Sequence, residues 1–130
     1  MTSEQKRDLI EYRLLNAKKT LLEVDVLIQN RLWNISVNRL YYACYYAVSA
    51  LLLHIDVHTK THAGARQMFG LHFVDTGIVS REAGHYYKKI FSMRHKGDYE
   101  DYFDNDEEDV IALREPAQNL INEVLTILSK

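Results

Sequence analysis

Residues 35–54 read ISVNRLYYACYYAVSALLLH, and no other stretch of the chain stays apolar on nearly every side for so long. At 100° per residue, four small side chains fall on one narrow stripe of a helix, namely Ser36, Ala43, Ala47 and Ala50. Such a stripe lets a second helix approach closely, and Tyr41 and Leu52 lie on the opposite side. A helix that is hydrophobic all round has neighbours all round. We therefore predict that residues 35–54 form the central helix of an all-α protein.

The segment before the central helix is amphipathic. Thr2 and Gln5 have the spacing of a capping box, in which a hydroxyl and an amide satisfy free backbone groups at a helix start. Apolar residues then repeat at four-three spacing, namely Ile10, Leu14, Ala17, Leu21, Val24 and Ile28. Leu15 and Leu22 are predicted to widen this buried stripe, and Asn30 is predicted to end the helix.

The last segment carries the same spacing, with apolar residues at Val110, Leu113, Ala117, Leu120, Val124 and Leu128. Asp106 is the predicted N-cap, and the three carboxylates after it suit the positive end of a helix dipole. Pro116 falls inside the pattern, so we expect a kink or a delayed start of this helix.

The middle of the chain has shorter patterns. Residues 56–61 are polar and β-branched and predict a loop, and His62–Val74 predicts a short helix that Gly77 ends. Ser80 is the predicted N-cap of a further helix, which Gly97 breaks. No segment alternates like a strand. Together the patterns predict one domain over residues 1–130, an antiparallel up-and-down bundle of four main helices plus one short helix.

Composition excludes several classes of protein. The formal net charge is −2, so there is no bulk basic signature for nucleic acid, and we expect no DNA partner. No run approaches the length of a membrane-spanning helix, and we expect no membrane association. Cys44 is the only cysteine, which suits a reducing compartment, and the charged N-terminus has no signal-peptide core. We therefore expect a cytoplasmic protein.

One candidate site lies at the end of the fourth predicted helix. Arg94 falls on the buried face of that helix, where a guanidinium needs a partner, and Asp98 is the obvious one. With Tyr99 these residues suit a site for phosphate or nucleotide, because arginine binds phosphate oxygens and tyrosine stacks on bases. The alternative is an Arg94–Asp98 pair that only fixes the helix end.

A second candidate surface lies on the central helix, where Arg39, Tyr42 and Tyr46 project to one side. They would form one wall of a polar cleft that Arg94 also faces. The alternative is that the tyrosines pack as core aromatics with their hydroxyls at the rim.

Metal and cofactor chemistry find little support in the sequence. His54, His58 and His62 are spaced four apart, but no cysteine or carboxylate beside them completes a ligand set. There is no Gly-rich phosphate loop and no Ser/His/Asp arrangement. We therefore expect no metal and no cofactor, and a structural role for His62.

Three sequence pieces carry a resemblance to a known family, namely NRLYYACYYAVSALLL at residues 38–53, KTHAGARQMFGLHFVDTGIVS at residues 60–80 and MRHKGDYEDY at residues 93–102. In this order the chain resembles the HEPN superfamily, and within it the small stand-alone prokaryotic proteins that are associated with minimal nucleotidyltransferases. The resemblance implies a helical bundle, a homodimer, and a small nucleotidyltransferase as the partner in a toxin–antitoxin-like cassette.

The resemblance also implies a motif for the family members that are metal-independent ribonucleases, an Arg followed after four to six residues by a His. Arg94 matches the Arg, but the allowed positions hold Tyr99, Glu100 and Asp101, and His95 is adjacent to the Arg. This departure favours a non-catalytic module that binds a nucleotide or RNA in a polar cleft.

Two alternatives stay open. One is an endoribonuclease toxin with a degenerate motif, in which Arg94 and Tyr99 are the catalytic candidates, joined by His95. The other is a pure interaction scaffold. The acidic run of residues 98–109, with eight carboxylates and no basic side chain, would repel RNA phosphates unless a second subunit supplies cations.

Overall fold

The computed structural model describes residues 1–100 and 103–130. These residues form helices joined by short connecting segments, and none of them is in a strand. The prediction of an all-α protein is confirmed. The elements are α1 (Ser3–Gln29), α2 (Trp33–His54), α3 (His62–Phe69), a π-helical turn (Gly70–Val74), α4 (Arg81–Tyr99) and α5 (Glu107–Leu128).

Helix α2 is the centre of the molecule, as predicted. It packs against α1, α3, α4 and α5. The four small residues of its stripe are fully buried, namely Ser36, Ala43, Ala47 and Ala50. On the opposite side the large ring of Tyr41 is also fully buried. The sequence 35–54 is apolar on most sides because α2 packs against four other helices, and the flank with Arg39, Tyr42 and Tyr46 is half-buried.

Helix α1 begins at the predicted capping box. The Thr2 hydroxyl accepts from the Gln5 backbone N–H at 3.1 Å, and the Gln5 side chain accepts from the Thr2 N–H at 2.8 Å. Asn30 is its C-cap. The prediction that Leu15 and Leu22 widen the buried stripe is wrong, because these side chains are 53% and 64% exposed. Helices α2 and α5 cover α1 on one side only.

The predicted short helix at His62–Val74 is present, but its second half is a π-helical turn. Gly77 follows in the left-handed region at φ 79°, which suits a residue without a Cβ. Ser80 caps α4 as predicted, since its hydroxyl accepts from the Ala83 N–H at 3.1 Å. The Glu123 carboxylate of α5 also accepts from the Ser80 N–H and hydroxyl.

Two predicted helix boundaries are wrong. Gly97 does not break α4, which continues to Tyr99. A glycine in a helix interior costs only about 1 kcal/mol, and Arg94 and Asp98 pair across this turn. Of the kink or delayed start expected at Pro116, the delayed start is wrong, because α5 begins at Glu107, and the kink stays a prediction. The first turns of α5 are held by buried side chains, namely Val110 and Leu113.

Long-range contacts join the beginning of one helix to the end of another. Lys6, in the first turn of α1, pairs with Asp56, just after the end of α2, at 3.2 Å. Arg114, in the first half of α5, pairs with Asp25, near the end of α1, at 2.7 Å. The predicted up-and-down order requires such contacts, and that order as a whole stays a prediction. Within residues 1–100 and 103–130, no helix combines the length and the apolar character needed to cross a membrane.

Candidate functional site

Arg94 is a buried cation with aromatic neighbours. It lies on α4 with 7% of its surface exposed. Its guanidinium carbon is 4.8 Å from the ring centre of Tyr41 and 5.8 Å from that of Tyr42, within the range of cation–π contacts. Its Nη1 donates to Asp98 at 3.4 Å, which is long for a charge-assisted bond. Its buried Nε has no hydrogen-bond partner in the part of the chain described here.

A chain of polar contacts connects Asp98 to the start of α2. The carboxylate of Asp98 accepts from the side-chain amide of Asn38 at 3.2 Å. The amide oxygen of Asn38 accepts in turn from Nε of Arg39 at 3.3 Å. We call the set that these contacts join the Arg94 cluster; it consists of Asn38, Arg39, Tyr41, Tyr42, Arg94 and Asp98.

Tyr42 lies within cation–π distance of two guanidinium groups. The guanidinium carbon of Arg39 is 4.9 Å from its ring centre, and that of Arg94 is 5.8 Å away. Tyr42 and Arg39 are both half-buried, so this part of the cluster is reached by solvent. The terminal nitrogens of Arg39 donate no hydrogen bond to any residue in 1–100 or 103–130. The structure thus brings together four of the proposed nucleotide-binding residues, Arg39, Tyr42, Arg94 and Asp98.

Tyr46 and Tyr99 contribute less to this cluster. Tyr46 packs at 6.2 Å from the rings of Tyr42 and Tyr45, one turn further along α2. Tyr99 is 69% exposed, and its ring is 4.9 Å from that of His95 on the outer side of α4. Asp101, the last position allowed for the motif histidine, lies outside the described residues.

The sequence interpretation missed Asn38 and Tyr41 as members of this cluster, and it gave His62 a structural role only. The hydroxyl of Tyr41 and Nδ1 of His62 are 2.8 Å apart, and this contact fixes the start of α3 against α2. His62 thus has the structural role that the sequence suggested. The signal for Asn38 and Tyr41 was present, because with Tyr42 and Tyr45 they follow the i, i+3, i+4, i+7 spacing of one helix face.

Burial shifts the pKa of two groups beside Arg94, Tyr41 and His62. It raises the pKa of Tyr41 to about 12, so this hydroxyl stays protonated at neutral pH. Burial, together with the positive charge of Arg94, lowers the pKa of His62 below its ordinary value. A neutral His62 carries its own proton on Nε2 and can accept a hydrogen bond from the Tyr41 hydroxyl at Nδ1.

The Arg94 cluster suits an anion next to an aromatic group. It holds two guanidiniums and one carboxylate, a net charge of +1 at neutral pH. Tyr42 offers an aromatic ring to a base, and the terminal nitrogens of the half-buried Arg39 are available as donors. Metal-independent cleavage of RNA needs a base beside the 2′-hydroxyl. Within one protomer, no histidine or free carboxylate of the described residues lies against Arg94 in that role, because His62 is engaged by Tyr41.

The chain is similar to a known family and to several curated proteins. The family described as HEPN domain matches residues 10–127. The chain is 38% identical over 106 residues to a UPF0332 protein of Thermotoga maritima, and the alignment covers 82% of this chain and 80% of that protein. It is 36% identical over 93 residues to "Putative toxin MJ0605" of Methanocaldococcus jannaschii, and the alignment covers 72% of this chain and 69% of that protein. "Putative toxin MJ0142" of the same organism is 31% identical over 100 residues, covering 77% and 67%.

Proposed function

We propose that this chain, which belongs to the HEPN domain family, is one member of a toxin–antitoxin-type pair and binds a nucleotide or an RNA end at the Arg94 cluster. The observation that carries the binding proposal is the contact of the Tyr42 ring with the guanidiniums of both Arg39 and Arg94. A nucleotide would find cationic donors for its phosphate next to an aromatic ring for its base there. The names of two relatives support the toxin–antitoxin class.

We propose binding rather than cleavage as the role of this protomer. Arg94 is available to stabilise developing charge, but the family's histidine is absent. Tyr99 is a poor base at neutral pH, since the ordinary pKa of a tyrosine is about 10. The rings of His95 and Tyr99 contact each other at a tilt of 43° on the exposed side of α4, while Arg94 is buried. Their geometry supports no shared catalytic centre with Arg94 in one chain.

The partner in this proposal is a small nucleotidyltransferase, and the pair acts in the cytoplasm. The support is the resemblance of the three sequence pieces to HEPN proteins of that kind. Co-expression of this chain with a small nucleotidyltransferase from the same genome, followed by affinity purification through a tag on one of them, tests the pairing. Co-purification in a fixed ratio is expected, and separate elution would reject this partner.

We also propose that the protein is a homodimer formed through α1. Four large side chains on one face of this helix are 53–64% exposed, namely Tyr12, Leu15, Leu22 and Val26. Their spacing of three, seven and four residues is that of a coiled-coil seam. In a parallel pair of α1 helices, Lys18 of one copy would flank Glu23 of the other, which adds charge complementarity at the edge of the seam.

Nucleotide binding at the Arg94 cluster is tested by titration calorimetry with AMP and ATP. Arg39 is the residue to change, because it is half-buried and makes one hydrogen bond, to its neighbour Asn38. Arg39→Ala is expected to weaken binding by about tenfold or more, the value of a hydrogen bond to a charged group. Arg7→Ala on the exposed surface of α1 is the matched control and should bind like the wild type. Equal affinity of both variants would reject the site.

A further inference from the structure

A second concave site lies away from the Arg94 cluster, between the α3–π-helical segment and α4. Its volume is about 240 Å³. Apolar side chains of Phe69, Val74 and Tyr87 line its inner part, and Arg66, Arg81 and Lys88 lie around it. None of these residues belongs to the Arg94 cluster. We call this site the basic cavity.

Local backbone geometry creates the basic cavity. The π-helical turn is wider than an α-helical turn, and such turns are frequent at functional sites. Gly84 lets α4 approach this turn, since a Cβ at position 84 would lie 2.7 Å from Cγ1 of Val74. At the mouth, a Cβ on Gly70 would meet nothing within 4 Å. The two segments therefore touch at Gly84 and leave open space at Gly70.

The charge around the cavity is opposite to that of the whole chain. Arg66, Arg81 and Lys88 carry three positive charges, and Asp75 is the one carboxylate among the lining residues, a net charge of +2 on a chain of formal charge −2. In the described residues, none of these four side chains makes a salt bridge or a side-chain hydrogen bond. Unpaired cations around a concave surface favour an anionic ligand.

Arg66 is oriented by an aromatic ring. Its guanidinium carbon is 4.5 Å from the ring centre of Phe91, which holds the planar group by a cation–π contact. A guanidinium fixed by stacking keeps its N–H groups free in a known plane, and this geometry suits bidentate binding of phosphate oxygens. His85 adds a further nitrogen donor to the lining.

We propose that the basic cavity binds the phosphate group of a phosphorylated ligand, with Arg66, Arg81 and Lys88 as its partners. The volume is below the roughly 300–1,000 Å³ of pockets for drug-sized molecules, so a terminal phosphate and part of the organic group attached to it fit, but not a folded strand. The apolar inner part receives the organic group. The ligand is then a free mononucleotide or the 5′-phosphate end of an RNA, and the site goes beyond the function proposed for the Arg94 cluster.

The experiment compares ligands with and without the phosphate. AMP, adenosine, and a short single-stranded RNA with a 5′-phosphate or a 5′-hydroxyl are titrated into ¹⁵N-labelled protein, with amide chemical shifts as the readout. AMP or the 5′-phosphorylated RNA is expected to shift amides within residues 66–88, and adenosine and the 5′-hydroxyl RNA are not. Response to AMP alone identifies a free nucleotide as the source, and response to the phosphorylated RNA alone identifies an RNA end.

The variant is the double substitution Arg81→Gln and Lys88→Gln, which changes two exposed side chains and leaves the core intact. We expect at least tenfold weaker binding of the phosphorylated ligand at residues 66–88. Lys89→Gln is the matched control, since Lys89 is exposed on α4 but does not line the cavity. Unchanged affinity of the double variant, or no shift with either phosphorylated ligand, would overturn the proposal. Chemical-shift changes confined to residues 38–42 would support binding at the Arg94 cluster and reject binding in the basic cavity. The two proposals can therefore be rejected independently of each other.

Discussion

At the scale of the residue, Arg94 is held by aromatic rings as much as by its carboxylate. The ring centres of Tyr41 and Tyr42 lie 4.8 and 5.8 Å from the guanidinium carbon, while the bond to Asp98 is 3.4 Å long. A buried cation is costly without partners. The two rings and the carboxylate of Asp98, which is 32% exposed, offset the cost of burying the guanidinium. They also orient the cluster.

Removing the Arg94 side chain should lower stability. Arg94→Ala takes away the packed stem, two cation–π contacts and one ion pair, and we expect a loss of about 2–3 kcal/mol in the free energy of unfolding. The loss stays at the lower end because Asp98 keeps its bond to Asn38 and is partly solvated. Urea denaturation measures it, with exposed Lys96→Ala as a control that should change by less than about 0.5 kcal/mol. Equal stability of both variants would contradict the packing described for Arg94.

His62 predicts a pH dependence. Burial and Arg94 lower its pKa in the folded state, while in the unfolded chain its pKa is about 6.5. The unfolded chain therefore binds more protons as pH falls below about 6.5, so folded stability is full above that value and is lost as pH falls through the folded pKa. Urea titrations between pH 8 and 5 should show this loss, and His62→Gln should reduce it. His85→Gln, which changes an exposed histidine, should retain it; the opposite pattern would rule out His62 as its source.

The sequence predicted four of the six residues of the Arg94 cluster and missed Asn38 and Tyr41 for a physical reason. Arg94 and Asp98 are four apart on one helix, so their contact follows from helix geometry alone. The contact between Tyr41 and His62 depends on how the loop returns α3 to α2, which no local pattern encodes. Asn38 and Asp98 meet for the same reason, across 60 positions of the chain.

At the scale of the element, periodicity located every helix, and the errors concern where a pattern ends or which neighbours it finds. Gly97 and Pro116 were given their average effect on helices, but α4 continues through Gly97 to Tyr99 and α5 runs through Pro116 from Glu107 to Leu128. Leu15 and Leu22 were placed in the core because they extend an apolar stripe. A stripe shows which face is apolar, not what covers it.

The contact between the π-helical turn and α4 is testable at Gly84. A Cβ there would lie 2.7 Å from Val74 Cγ1, so Gly84→Ala should lose about 1–2 kcal/mol of stability by overpacking. Adding Val74→Ala should recover part of that loss in a double-mutant cycle. Gly97→Ala in the same helix is the control. Its Cβ would be 3.4 Å from Asn105 Nδ2, and removal of a helical glycine should gain about 0.5–1 kcal/mol. A gain at both glycines would contradict the close approach.

At the scale of the whole molecule, positive regions lie on a chain of negative net charge. The Arg94 cluster carries +1 and the lining of the basic cavity +2, while the chain carries −2. Tyr41 and Tyr87 connect the two sites, with ring centres 5.8 Å apart. Anionic ligands would therefore be drawn to these two regions of a chain whose net charge is negative.

The proposed homodimer gives a prediction at the same scale. Leu22→Glu places a charge in the apolar seam of α1 and should convert a dimer into a monomer, measured by sedimentation velocity. Ile78→Glu is the control, because Ile78 is comparably exposed at 54% but lies in the turn before α4. The control should leave the mass of the wild type unchanged. A dimer that persists in Leu22→Glu would place its interface elsewhere.

The most direct test of the central claim follows both binding and cleavage in one sample. A 5′-labelled single-stranded RNA is incubated with purified protein in EDTA, its anisotropy is read, and the same RNA is run on a denaturing gel. We predict that wild-type protein binds the RNA and leaves it intact, that Arg39→Ala binds at least tenfold more weakly, and that Arg7→Ala behaves like the wild type. Cleavage by the wild type that Arg39→Ala or Arg94→Lys abolishes would contradict this account and place the chain among the ribonucleases.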